Sequence, residues 1–167
     1  MESNEAEIKK QNFKKAIELA AWHETGHTVI ALWAGMKVKK VTLGLKGGDT
    51  WVETDERTMA LYGKDMTLAG RIFEIHFGGA SVGQVVDNMI EESTIKSKKT
   101  CDWVRLGSPS KVDLIAMIED ELRFLESVLS DTLYKVSHEI RDNLWENWSV
   151  TNRQLQKIGK AHGLLVK

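Results

Sequence analysis

Cysteine and proline are almost absent from this sequence of 167 residues, which contains one of each, Cys101 and Pro109. A single cysteine excludes an internal disulfide framework and a cysteine-rich zinc module, and it fits a reducing compartment. Any metal ion must therefore be held by histidine and carboxylate side chains. Because linker-like segments are also absent and the length suits one hydrophobic core, we expect residues 1–167 to form one domain.

The sequence also lacks an excess of either charge and any long apolar run. Its 23 Lys and Arg residues against 24 Asp and Glu residues exclude a broad basic field for nucleic acid or an anionic membrane. No window approaches about 18 uninterrupted apolar residues, and the N-terminus is polar rather than signal-like. We expect a cytoplasmic protein with no nucleic-acid partner and no membrane segment in this chain, although a piece of a longer membrane-anchored protein would look the same.

Hydrophobic spacing predicts an α+β fold that is mainly α. Apolar residues at steps of three or four predict one long helix from an N-cap at Asn4 to Ala34, with Phe13 among its inward residues and Gly35 as its left-handed stop. Further helices are predicted at 64–77, at 82–90 before a charged loop, after a cap at Ser108 or Ser110, at 133–148 as an antiparallel partner of that helix, and after a capping box of Thr151 and Gln154.

A small β-hairpin is predicted between the first two helices. Segment 37–45 is rich in β-branched residues, and a turn at 46–49 would connect it to a second short strand at 50–53. We therefore expect a first half, residues 1–107, that contains the sheet, and a second half, residues 108–167, that forms a C-terminal helical bundle.

The run His23-Glu24-Thr25-Gly26-His27 indicates a metal site with hydrolytic chemistry. Positions i and i+4 of a helix lie on one face, so both imidazoles can bind a single ion. Glu24 lies about 100° around the helix, where it can reach a metal-bound water and act as general base without binding the metal. Gly26 would allow another backbone or a substrate strand to approach the helix closely. The first half of the chain would thus hold the metal site.

The third ligand is not determined by spacing alone. A third histidine of the metzincin type is excluded, because Ile30 and Trp33 occupy the positions that this pattern reserves for glycine and histidine. Glu74 is the thermolysin-like choice, a carboxylate from a following helix. The candidates are Glu74, His76, Glu91, Glu92, Asp102 and His138.

The metal helix resembles that of the FtsH-type AAA+ zinc metalloproteases, peptidase family M41. The resemblance is carried by Ala21-Trp22-His23-Glu24-Thr25-Gly26-His27-Thr28-Val29-Ile30-Ala31. The strand at 38–43 follows at the family's usual place, and the segment 69–79 is similar to the family's Gly-Gly-Arg-Ala-Ala-Glu-Glu helix. The third ligand of the family is an aspartate that opens a later helix, and Asp102 matches it. The resemblance therefore implies Zn²⁺ bound by the two histidines and Asp102.

The resemblance implies a zinc metalloendopeptidase. No Gly-x-x-x-x-Gly-Lys-Ser/Thr phosphate loop is present, so the chain alone would cleave unfolded or flexible polypeptides without ATP, or work with a separate unfoldase. The expected partners are thus a polypeptide substrate and either further copies of this chain, as a homo-oligomer, or the unfoldase. Two alternatives stay open: a non-catalytic M41-like domain for binding or assembly, and a regulatory peptidase of the ImmA/IrrE type that cleaves one specific protein and uses a glutamate as third ligand.

Six tryptophans invite a ligand-binding interpretation. Four of them fall on helical apolar faces and are expected to pack in the core or an interface: Trp22, Trp33, Trp145 and Trp148. Packing is also favoured for Trp51 and Trp103, but Trp51 on a strand edge would let an extended peptide add itself as a further strand.

Overall fold

A computed structural model describes residues 2–45, 47–95 and 101–164, with side chains from residue 7 onward. Seven helices and three strands follow one another in these residues: α1 (Glu2–Trp33), β1 (Lys37–Gly44), β2 (Gly47–Glu53), α2 (Glu56–His76), α3 (Val82–Ile95), α4 (Asp102–Arg105), α5 (Lys111–Val128), α6 (Asp131–Asn147), β3 (Ser149–Thr151) and α7 (Asn152–Ala161). The predicted α+β, mainly α fold is confirmed. None of the helices in these ranges combines the length and apolar character needed to cross a membrane.

Helix α1 is the element on which the others assemble. Its C-terminal half is buried on nearly all sides, because α2, α6 and the sheet all pack against it. Its N-terminal half, by contrast, is exposed over residues 7–16, and Phe13 is 51% exposed, so the prediction that Phe13 points inward is wrong. The helix begins at Glu2, which also makes the predicted N-cap at Asn4 wrong. Gly35 ends the helix with φ 74°, as predicted.

Gly26 brings α1 and α2 into direct backbone contact. A Cβ atom at this position would lie 2.3 Å from the carbonyl oxygen of Ala69 and 2.9 Å from the ring of Phe73. Only a residue without a side chain fits here. The predicted close approach at Gly26 is therefore confirmed, and the approaching backbone is that of α2.

The predicted hairpin is confirmed and belongs to a three-stranded antiparallel sheet in the order β2-β1-β3. Strand β2 begins at Gly47, which pairs with Gly44, so the predicted turn at 46–49 is too long and most of it is strand. Strand β3 was not predicted, because three residues are too few to show a periodic pattern. It pairs with β1 and leaves β2 at the edge of the sheet beside α1.

Helices α2 and α3 are longer than predicted. Helix α2 begins at Glu56, eight residues before the predicted start, and Asp55 caps it by accepting a hydrogen bond from the backbone N–H of Thr58 at 2.8 Å. The first turns escaped prediction because their apolar residues, Met59 and Leu61, are exposed and show no inward period. Helix α3 continues to Ile95, so the predicted loop starts later, and the basic run at 96–99 lies outside the described residues.

The C-terminal helices contribute to the same core as the first half. Ser110 caps α5, and Thr151 forms the predicted capping box with Gln154 at the start of α7. The predicted antiparallel pairing of α5 with α6 is wrong, because α5 packs on α2 and α3 whereas α6 packs on α1. One hydrophobic cluster includes Phe73, Ile118 and Ile140, so residues of both halves share it.

Two of the predicted packing tryptophans differ in their outcome. Trp22 is buried and stacks on Phe77 with ring centroids 4.6 Å apart, as expected for a core residue. Trp148 is 40% exposed and ends α6 in a left-handed conformation, φ 58°, so the prediction that it lies on a helical apolar face in the core is wrong.

Candidate metal centre

The imidazoles of His23 and His27 converge, as the helical spacing predicts. They lie one turn apart on α1, and their Nε2 atoms are 3.0 Å apart. Two imidazole nitrogens that bind one tetrahedral zinc ion at about 2.0–2.1 Å are about 3.3 Å from each other. The two rings thus have nearly the separation that a shared zinc ion requires.

The far side of each ring is occupied by a hydrogen-bond acceptor. Nδ1 of His27 lies 2.7 Å from the backbone carbonyl oxygen of Met66, and Nδ1 of His23 lies 2.6 Å from Oε1 of Glu74. Because these oxygens accept, each ring donates from Nδ1. Burial, followed by the neighbouring His23, lowers the pKa of His27 to about 3, so this ring is neutral at physiological pH and its Nε2 carries a lone pair.

These tautomers suit a cation between the rings. Nε2 of the neutral His27 carries a lone pair that faces Nε2 of His23 at 3.0 Å. A proton or a metal cation that both nitrogens share fits between them. The residues present therefore fit a metal ion of the zinc type, bound through Nε2 of both histidines.

Glu74 contacts the ring nitrogen of His23 that does not face His27. It contacts Nδ1, on the opposite side of the ring from Nε2, and it accepts a hydrogen bond from Nη1 of Arg71 at 3.1 Å. Gly70 makes this arrangement possible, since a Cβ atom there would lie 2.6 Å from the ring of His23. This position is typical of a carboxylate that orients a metal-binding histidine rather than one that binds the metal.

Glu24 is buried beside the two histidines. Its Oε2 accepts a hydrogen bond from the hydroxyl of Thr50 at 2.7 Å, and Gly48 leaves room for it, because a Cβ atom there would lie 2.5 Å from Glu24 Cγ. Burial raises the pKa of Glu24, although the nearby His23 and the Thr50 hydrogen bond oppose this effect. Strand β2 thus directs the predicted general base, and sequence patterns alone did not reveal the roles of Thr50 and Gly48.

Asp102 lines the same cavity as the histidines but does not reach them. It is the first residue of α4, and the cavity of about 730 Å³ also borders Glu24 and both imidazoles. Its Oδ2 lies 3.8 Å from Nε of Arg71, and its Oδ1 lies 3.8 Å from Nη1 of Arg105. Across residues 2–45, 47–95 and 101–164, no three His, Cys, Asp or Glu side chains form a group that could hold a metal ion.

The remaining predicted candidates for a third ligand lie on α2, α3 and α6. Glu92 accepts a hydrogen bond from Nη2 of Arg71 at 2.8 Å. His76 packs against Phe77, and His138 packs against Trp22 and Phe77 in the aromatic cluster. Glu91 is exposed on α3. Of the predicted candidates, Glu92 and Asp102 both line the cavity of the histidines, and the two arginine contacts of Asp102, at 3.8 Å, are longer than a hydrogen bond.

The site lies at the middle of a longer cleft. A second cavity, of about 970 Å³, shares His23 and Glu24 with the first and continues along α1 towards its N-terminus. Its walls include apolar side chains of α1 and β1: Ala16, Ile17, Leu19, Ala20 and Leu43. The edge strand β2 borders both cavities through Gly48 and Asp49, and it carries Trp51, which is 58% exposed.

Comparison with known proteins adds no family to this geometry. No protein-family model matches the chain, and no curated protein matches it significantly. The resemblance to M41 peptidases therefore stays a prediction. Function has to be argued from the chemistry of the site itself.

Proposed function

We propose that the protein is a zinc-dependent metalloendopeptidase of the cytoplasm that hydrolyses peptide bonds in unfolded or flexible polypeptides. The observation that carries this proposal is the convergence of Nε2 of His23 and Nε2 of His27 to 3.0 Å, with a buried carboxyl group beside them in an open cleft. Histidine pairs with this tautomer and separation, next to a glutamate, are typical of hydrolytic zinc sites.

In this proposal His23, His27 and Asp102 hold Zn²⁺. When bound, zinc lowers the pKa of a water ligand to about 7 and polarises the substrate carbonyl group. For this, Oδ1 of Asp102 would exchange Arg105 for the metal, while Oδ2 stays beside Nε of Arg71. Glu74 keeps His23 in the Nδ1–H tautomer, and the Met66 carbonyl does the same for His27.

Glu24 acts as the general base. The Thr50 hydroxyl holds Oε2, which directs the carboxyl group and leaves its other oxygen to take a proton from the attacking water. Glu24 then passes that proton to the leaving amine. Its raised pKa suits both steps, because a carboxyl group that is too acidic is a poor base.

The substrate would lie along β2 as an extended strand. Edge strands bind peptides through main-chain hydrogen bonds, and this mode requires a segment that is already unfolded. The apolar part of the cleft lies to one side of Glu24, so it would take a bulky apolar side chain near the scissile bond. A folded substrate would therefore need a separate unfoldase before cleavage.

The test combines metal analysis with one substitution. Purified protein should contain about one zinc ion per chain, and Glu24→Gln should retain the zinc while it loses cleavage of unfolded casein. Glu7→Gln, the same change on the exposed half of α1, serves as the matched control and should keep activity. Wild type and Glu24→Gln protein that are equally inactive would contradict the enzymatic proposal.

A second candidate function is a non-catalytic binding domain. The position of Asp102 favours it, since that side chain lies near two arginines rather than at the histidines. Zinc content separates the two candidates: a properly folded protein that takes up no zinc would support the binding domain.

A further inference from the structure

Arg71 is a buried cation at the junction of three helices. Its side chain is 9% exposed, and its guanidinium group contacts carboxylates from three elements. Nη1 donates to Glu74 on α2 at 3.1 Å, and Nη2 donates to Glu92 on α3 at 2.8 Å. Nε lies 3.8 Å from Oδ2 of Asp102 on α4. A single side chain thus connects the partner of His23 with the candidate third ligand.

The Nε atom of Arg71 has an unused donor. It is fully buried and has no hydrogen-bond partner, while the two Nη atoms are both engaged. A buried donor without a partner is unfavourable, so structures rarely keep one without a reason. Asp102 lies just beyond hydrogen-bond distance of it, which places this carboxylate at the wall of the metal cavity.

We propose that Arg71 is the positioning residue of the metal centre. Through Glu74 it fixes the tautomer and orientation of His23, and through Nε it keeps Asp102 within reach of the histidines. A planar guanidinium group suits this task because it presents its donors in a rigid fork, which a lysine cannot do. The inference rests on the proposed zinc site, and it assigns Arg71 no contact with substrate or metal.

A purely structural role is the competing explanation. Arg71 also neutralises buried carboxylates, and its loss would destabilise the fold whether or not a metal binds. Zinc affinity must therefore be measured separately from stability. Circular dichroism and thermal unfolding in the presence of a chelator report the metal-free fold, and competition with a chromophoric chelator reports the dissociation constant for zinc.

The decisive variants are Arg71→Met, Arg71→Lys and the control Arg57→Met, which makes the same change at an exposed position of α2. We expect Arg71→Met to bind zinc about 10- to 100-fold more weakly than wild type, as is usual when a partner of a metal ligand is lost. Arg71→Lys should also bind more weakly, and Arg57→Met should bind like wild type. If Arg71→Met is unfolded in the presence of chelator, the zinc affinity of Arg71→Lys relative to wild type decides instead. Affinity within about threefold of wild type in the folded variant would overturn the proposal.

A double-substitution cycle separates a positioning role of Arg71 from general destabilisation of the fold. If Arg71 acts through Glu74, then adding Arg71→Met to Glu74→Gln should weaken zinc binding much less than it does alone. Fully additive losses would overturn the proposal. Wild-type protein that binds no zinc would reject the proposed function itself, a result distinct from unchanged affinity in the Arg71 variants.

Discussion

Nε2 of His23 and Nε2 of His27 face each other at 3.0 Å, while Nδ1 of each ring lies within 2.7 Å of a protein oxygen. The Glu74 carboxylate and the Met66 carbonyl oxygen accept hydrogen bonds from these Nδ1 atoms, which favours a proton on Nδ1 of each ring. The arrangement leaves both Nε2 atoms for a common cation.

This relationship predicts the response of the rings to zinc. In zinc-loaded protein, both rings should keep their Nδ1 protons, and both Nε2 resonances should shift on metal binding. Long-range ¹H–¹⁵N correlation spectra of the imidazoles measure this directly. Glu74→Gln should disturb the His23 signals and leave those of His27 unchanged, because His27 depends on a backbone carbonyl. Protons on Nε2 of both zinc-loaded rings would contradict the arrangement.

Gly26→Ala should destabilise the fold. Its Cβ atom would lie 2.3 Å from the Ala69 carbonyl oxygen, so α1 and α2 would have to separate. We expect a loss of roughly 1–3 kcal/mol in the free energy of unfolding, the usual cost of overpacking. Gly83→Ala is the control, since its Cβ atom meets nothing closer than 4.0 Å on helix α3 and alanine favours helix. Urea unfolding of both variants checks this, and equal stabilities would contradict it.

Thr50 should influence catalysis without influencing zinc binding. Its hydroxyl donates to Oε2 of Glu24 at 2.7 Å, so Thr50→Val leaves the general base undirected. A hydrogen bond to a charged group contributes about 1.5–3 kcal/mol, so kcat should fall by about tenfold or more. Thr50→Ser keeps the hydroxyl and should keep most of the activity. Equal kcat values for the Val and Ser variants, at equal zinc content, would show that this hydrogen bond is unimportant.

Glu121 should make stability depend on pH. Burial, followed by the neighbouring Asp65, raises its pKa to about 7, above the value in the unfolded chain. The group thus favours the folded state when protonated, and this contribution is lost as pH rises from about 4.5 through 7. Relative to the Glu121→Gln variant, the free energy of unfolding of the wild-type protein should fall by roughly 1–3 kcal/mol over that pH range. Denaturant unfolding at several pH values measures it, with the exposed Glu119→Gln as control. A difference independent of pH would contradict the prediction.

The parts of the fold that sequence patterns predicted are those set by local geometry. The convergence of His23 and His27 follows from helical spacing alone, and the stop at Gly35 and the capping box at Thr151 are equally local. Gly26 was predicted to permit a close approach because a missing side chain has few other consequences in a helix.

The parts that were missed depend on partners distant in the chain. Thr50 and Glu74 acquire their roles only when β2 and α2 pack on α1, and no spacing rule relates them to the histidines. The divergence of α5 from α6 has the same origin, since α5 packs on α2 and α3 and α6 packs on α1, contacts that no local pattern predicts. Phe13 fits the apolar period of α1, but the helix is exposed over residues 7–16.

The most direct test of the zinc site is anomalous diffraction at the zinc edge from crystals of the zinc-loaded chain. The proposal predicts one peak about 2.0–2.2 Å from Nε2 of His23, Nε2 of His27 and a carboxylate oxygen of Asp102. A zinc ion bound by Glu74 or another carboxylate in place of Asp102 would contradict the assignment of Asp102 as third ligand and leave the rest of the zinc site intact. Well-ordered histidines with no zinc between them would contradict the zinc peptidase as a whole.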